Sequence, residues 1–173
     1  LIFAFPRTGS TTLAEALGLF WRVEKILEPF NKTHGYAHDR VVEDKESLDR
    51  VLGEISGMGV DVLKHLNCQL SEELNHHLLE HGFRHILYLW RRNALKRAVS
   101  NEISFQAREW RRDRDKVLST EFVPLDLEKI RGNINWYRSE VERYRDFMRT
   151  SGIDFTEIVM EDFYDSGMEE KER

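Results

Sequence analysis

Two hydrophobic periods alternate along this chain, and their alternation restricts the fold more than any other feature of the sequence. Short β-rich runs at 1–5, 23–27, 60–66, 85–90 and 155–160 are separated by stretches in which apolar residues recur every three or four positions. Leu48, Val51, Leu52 and Ile55 form one such stripe, and Leu70, Leu74 and Leu78 form another. The longest runs from an Asp126 cap through Leu127, Ile130, Ile134, Tyr137, Val141, Tyr144 and Met148 to a stop near Gly152. Strands spaced by helices of this length pair in parallel, because each crossover helix returns the chain to the same end of the sheet. The expected fold is α/β, a P-loop-like three-layer arrangement in which a central, mostly parallel sheet of about five strands is flanked by helices.

At 173 residues the chain is expected to form a single domain, 1–173, with a frayed tail after about residue 165. No apolar run approaches the roughly 18 residues of a bilayer span, and no charged-then-apolar leader is present, so no membrane span is expected. Cys68 is the only cysteine. It excludes an intramolecular disulfide and suggests a reducing, cytoplasmic setting, with Cys68 itself a small buried hydrophobe. The net charge of −5 is that of an ordinary soluble protein, with no nucleic-acid partner expected. Between Arg91 and Lys116, however, nine basic residues face four acidic ones, a local balance of +5 that is either a solvated helix face or a means of concentrating anions.

In open parallel sheets ligands bind beyond the carboxyl ends of the strands. The residues that follow strands here are 6–12, Glu28, Arg91 with Arg92, and Glu161. The first set reads Pro6-Arg7-Thr8-Gly9-Ser10-Thr11-Thr12 and leads into the helical pattern Leu13, Ala16, Leu17. A glycine there permits a sharp turn, and the first N–H groups of the helix, with the dipole behind them, can receive a phosphate or a sulfate. An ordinary N-capped helix entry is the alternative reading. The general nucleotide loop G-x-x-x-x-G-K-S/T is absent, because no Lys follows Gly9; the cation is Arg7, before the glycine. A second cluster, Arg91-Arg92-Asn93 through Ser100, places Arg92 eight residues before Ser100, about two helical turns. The two could meet on one anion only if Arg92 lies in the loop and folds back.

Taken together, these clusters resemble the sulfotransferase superfamily, which uses 3′-phosphoadenosine 5′-phosphosulfate (PAPS) as sulfuryl donor and releases adenosine 3′,5′-bisphosphate. That family carries a 5′-phosphosulfate loop of Pro, Lys or Arg, Ser or Thr, Gly and two hydroxyl residues, matched by Pro6 to Thr11. It also carries an Arg ending a strand with a Ser eight positions on, matched by Arg92 and Ser100. Glu28-Pro29-Phe30 resembles an E-P segment of the carbohydrate and bacterial members, and Met160-Glu161-Asp162-Phe163 resembles the Y-E-D-L segment, with Met in place of Tyr. The C-terminal R-K-G and G-x-x-G-x-W-K segment of the cytosolic small-molecule enzymes is missing, and Thr12 stands where they place a Trp. The resemblance is therefore closer to the carbohydrate and bacterial branches.

The resemblance implies a PAPS-dependent enzyme acting on a hydroxyl of a carbohydrate, a lipid or a small metabolite, with no metal. Arg7, Thr8, Gly9, Ser10, Thr11 and Thr12 would hold the 5′-phosphosulfate, and Arg92 with Ser100 the 3′-phosphate. Sulfuryl transfer, like phosphoryl transfer, needs in-line positioning and charge stabilisation, which Arg7 can supply at the leaving phosphate. The attacking hydroxyl needs a base: Glu28 first, a strand-end Glu that could instead pair with Lys25 or Lys32, then His65, which could instead line the acceptor pocket or be a hydrogen-bonded structural residue. His34 with His38, and His76, His77 and His81, lack the company expected of zinc ligands. Trp110 and Trp136 are either core or pocket aromatics, and the segments 31–40 and 113–124 are where acceptor specificity is expected. A P-loop kinase and an inactive sulfotransferase-like binding domain are the competing readings.

Overall fold

The computed structural model describes residues 1–33, 35–36, 42–107 and 122–165. Its five strands are β1 (Ile2–Ala4), β2 (Lys25–Leu27), β3 (Val62–Leu66), β4 (Leu87–Trp90) and β5 (Thr156–Val159). They form one sheet in the order β2-β3-β1-β4-β5, and every pairing is parallel. The expected α/β architecture is present, with a sheet wholly parallel over these strands. Among the described residues six α-helices flank it: α1 (Ser10–Trp21), α2 (Lys45–Gly57), α3 (Glu72–Glu80), α4 (Ala94–Ala107), α5 (Leu127–Thr150) and α6 (Met160–Asp165).

β1 is central because its run is apolar on both faces, the pattern of a strand covered on either side. Ile2 and Ala4 pack with Leu13 and Ala14 of α1 and with Leu89. Phe3 and Phe5 point the other way, into the larger core that holds Leu48, Val51, Leu52 and Ile55 of α2 and Tyr137, Val141, Tyr144 and Met148 of α5. The register sets Ile2 beside Lys64 and Phe3 beside His65, so these two neighbours on β3 occupy opposite faces of the sheet.

The helix starts follow capping chemistry. Asp44 and Ser47 form a reciprocal capping box on α2, and the Asp126 carboxylate accepts the amides of Glu128 at 2.9 Å and Lys129 at 3.1 Å on α5. Three expectations are corrected. Leu70 lies outside α3, and Leu127 is 77% exposed because the first turn of α5 overhangs the core. Cys68, expected inside, is exposed on the 3₁₀ turn Asn67–Gln69 that follows β3. Of the two segments expected to govern acceptor choice, His34, 37–40 and 113–121 lie outside the described residues, as do Trp110, His38 and the tail beyond 165. No helix among the described residues is long and apolar enough to cross a membrane.

Candidate functional site

The loop after β1 is built on two left-handed residues. Gly9 has φ 79° and Arg7 φ 68°; the glycine adopts this freely, whereas for Arg7 the left-handed backbone costs about 1–2 kcal/mol. Thr8 is fully buried and its hydroxyl donates to the Phe5 carbonyl at 2.7 Å, closing the turn. Gly9 is the N-cap of α1 and offers no side-chain acceptor, so the opening amides of the helix are not capped as an ordinary helix entry would be. Tyr164 of α6 seals the outside of the loop. Its hydroxyl donates to the Gly9 carbonyl at 2.9 Å, and a Cβ on Gly9 would stand 2.9 Å from the Tyr164 ring.

Arg7 Nε donates to Ser100 Oγ at 2.9 Å, joining the loop to α4 across 93 positions of sequence. Three positions before Ser100, one helical turn earlier, Arg97 is 2% exposed. Its Nε donates to the Pro6 carbonyl at 3.2 Å and its Nη1 to Asn133 Oδ1 at 2.7 Å, while its guanidinium lies 4.2 Å from the centre of the Tyr137 ring. This arginine is inside rather than part of a solvated basic face, and it ties the loop backbone to α5.

A second knot lies one strand over. Lys64 is 1% exposed, and its ammonium reaches the Thr11 hydroxyl at 3.3 Å and forms a very short ion pair with Glu28 Oε1. Glu28 follows β2 with φ 52°, and its amide continues the ladder to the Lys64 carbonyl at 2.7 Å. Its other carboxylate oxygen accepts Gln69 Nε2 at 2.7 Å and Asn31 Nδ2 at 3.3 Å. Burial pushes the Glu28 pKa up, but Lys64, Asn31 and Gln69 outweigh that and hold it below the ordinary carboxylate range. Glu28 is thus ionised at neutral pH and its partner is Lys64, neither Lys25 nor Lys32.

The remaining expected residues are placed differently. His65 is completely buried; it donates from Nε2 to Asn75 Oδ1 at 2.7 Å and packs against Phe3 and Phe30. Burial lowers its pKa to about 4. On the face opposite Lys64 it is a core residue, which corrects its expected place beside an acceptor. Arg92 is 60% exposed on its side chain and pairs with Asp162 Oδ2 at 2.6 Å, while its amide and that of Asn93 donate to the Glu161 carboxylate at 2.8 and 3.0 Å. Arg92 therefore faces α6 and Ser100 faces Arg7; no hydrogen bond joins the two. His76 stacks on Phe147 with ring centres 3.7 Å apart, and His77 bonds Asp49 at 2.7 Å.

Sequence reasoning missed Lys64 and Arg97, because a charged residue in a strand or in a basic run looks solvent-directed until the neighbouring element is in place. The signal was available only in part: Lys64 and His65 interrupt a strand otherwise made of Val62, Leu63 and Leu66. What results is a cluster at the carboxyl ends of β1, β2 and β3 with two cations, Arg7 and Lys64, and one carboxylate, Glu28, a set of groups able to bind a tetrahedral anion beside a proton acceptor. Neither a protein-family model nor a curated protein matches the chain.

Proposed function

We propose that this chain is a sulfotransferase that moves the sulfuryl group of PAPS to an acceptor hydroxyl by in-line transfer. The observation that carries the reading is the Arg7–Ser100 hydrogen bond, which brings together the two segments that the resemblance assigns to the two ends of one nucleotide. The uncapped first turn of α1 and the left-handed Arg7 support it, since strained backbone concentrates where a ligand is gripped. In this scheme the acceptor oxygen attacks sulfur, its proton passes to the Glu28 carboxylate, and the bond from sulfur to the bridging oxygen breaks. The charge released onto the 5′-phosphate is met by Arg7, by the amides of residues 8–12 and by Lys64 through its place at Thr11.

A nucleotide phosphotransferase is the rival, favoured by one observation: Lys64 brings a lysine ammonium to the loop from the neighbouring strand, where the usual loop lysine is absent. Titration calorimetry separates the two. Binding of adenosine 3′,5′-bisphosphate without Mg²⁺, weakened in Arg7→Ala and Arg92→Ala, is the expected result; Mg²⁺-dependent binding of ATP in its place would overturn the proposal. Sulfate transfer to a panel of hydroxyl acceptors, abolished or lowered about 10²–10⁴-fold in Glu28→Gln, tests the chemistry.

A further inference from the structure

The two carboxylate oxygens of Glu28 are not equivalent. Oε2 accepts Gln69 Nε2 at 2.7 Å and Asn31 Nδ2 at 3.3 Å. An ionised carboxylate offers about two acceptor positions on each oxygen, so these two amides fill Oε2. Among the described residues Oε1 takes only the Lys64 ammonium, which leaves it one open position. The same ammonium reaches the Thr11 hydroxyl at 3.3 Å, and Oε1 is therefore the oxygen tied to the β1 loop. Both amides are fixed as donors. Gln69 Oε1 accepts the Leu66 amide at 3.3 Å, and Asn31 Oδ1 accepts the Thr33 amide and hydroxyl at 3.0 and 2.8 Å, so each NH₂ end turns to Glu28. Gln69, the shorter contact, stands on a turn anchored in the core. Asn75, 1% exposed, donates to the Asn67 carbonyl of that 3₁₀ turn at 2.7 Å and to Tyr144 Oη at 2.9 Å.

We infer that Gln69 is a positioning residue for the proposed transfer: by saturating Oε2 from an anchored turn, it leaves Oε1 as the oxygen that receives the acceptor's proton. The inference rests on the reading of Glu28 as the general base. As the acceptor oxygen bonds to sulfur, its proton moves to Oε1. The bond from sulfur to the bridging oxygen breaks, and its electron pair stays on the 5′-phosphate. Protonation at Oε1 also weakens its hold on Lys64, whose charge is then available at the loop just as the leaving phosphate becomes more negative.

Gln69→Met removes the donor and keeps the length of the side chain. Gln69→Glu keeps an acceptor for the Leu66 amide but sets a second carboxyl against Glu28. Loss of a donor raises the pKa of a carboxylate, and a like charge raises it further. In carbon-13 spectra of the whole chain, the Glu28 carboxyl signal, identified by its loss in Glu28→Gln, should titrate at higher pH in Gln69→Met and higher still in Gln69→Glu. With saturating PAPS and the hydroxyl acceptor of the panel that reacts fastest, the acid limb of kcat/KM should move the same way. In Gln69→Met kcat should fall about ten- to a hundredfold, the effect of one hydrogen bond to a charged group, with KM for PAPS unchanged. Ser71→Ala removes the N-cap that accepts the Leu74 amide at 3.3 Å and loosens the neighbouring helix start without touching Glu28; it should move neither the titration nor the limb. The inference is overturned by a Glu28 titration that stays put in both Gln69 variants, by a shifted titration with an unshifted acid limb, or by an equal displacement in Ser71→Ala. No transfer by the parent to any acceptor, or undiminished transfer in Glu28→Gln, would instead overturn the reading of the site on which the inference rests.

Discussion

Replacing Glu28 by Gln removes a charge while keeping the shape of the side chain and the left-handed backbone, so its effect isolates the ion pair with Lys64. The lysine is 1% exposed and the glutamate side chain 19%. Breaking a buried pair by deleting one partner typically costs 3–5 kcal/mol. Because Glu28 keeps some solvent contact and Lys64 keeps the Thr11 hydroxyl, the lower end, about 3 kcal/mol, is expected. For a chain of this length that is a drop of about 6–12 °C in Tm, or about 1–1.5 M in the urea midpoint if the slope is about 2–3 kcal/mol/M. The double variant Glu28→Gln/Lys64→Met removes both charges and should recover to within about 1 kcal/mol of the parent, since a neutral, well-packed pair needs no compensation. Urea melts of the four proteins at pH 7 measure the cycle. A Glu28→Gln loss below about 1 kcal/mol, the range of exposed pairs, or a double variant no better than the single, would refute the reasoning. The sign with pH is also set. Glu28 titrates below its unfolded value, so its contribution is full above the ordinary carboxylate range and disappears as pH falls through the folded value, and the gap between parent and Glu28→Gln should close in acid.

Other outcomes follow from single contacts. Gly9→Ala should cost about 1–2 kcal/mol from its φ of 79° alone, and Tyr164→Leu in the same chain should relieve only the added clash with the ring, a difference that thermal melts can read. Arg97→Met loses bonds to the Pro6 carbonyl and Asn133; a destabilisation of about 2–3 kcal/mol with weaker anion binding at the loop is expected, and unchanged nucleotide affinity in calorimetry would show that Arg97 does not position it. His65, lowered from 6.5 to about 4 by burial, binds its proton in the unfolded chain first. Stability should therefore fall by about 3 kcal/mol as pH drops from 6.5 to 4, and His65→Gln should flatten that part of the profile in a pH series of urea melts.

The alternation of two hydrophobic periods was enough to place all five strands and the long helix within a residue or two, because burial of apolar stripes depends on local spacing. The loop of Arg7 to Thr12 was legible for the same reason: its glycine and its position after a buried strand are local facts. The candidate site as a whole was not, because its decisive contacts span distant positions. Ser100 meets Arg7 rather than Arg92, and Lys64 meets Glu28 rather than water. Adjacent residues Lys64 and His65 look equivalent in a linear reading, yet the strand's two-residue period sends one to the loop and the other into an aromatic core.

Composition and periodicity by themselves therefore determined the architecture and the end of the sheet at which an anion could bind. Only the tertiary structure decided which charges are buried and with whom, because the energy of a charged side chain depends on the desolvation and the partners that neighbouring elements impose. Arg97 became an internal brace and Arg92 a surface partner of Asp162, both through packing between β4, α4, α5 and α6.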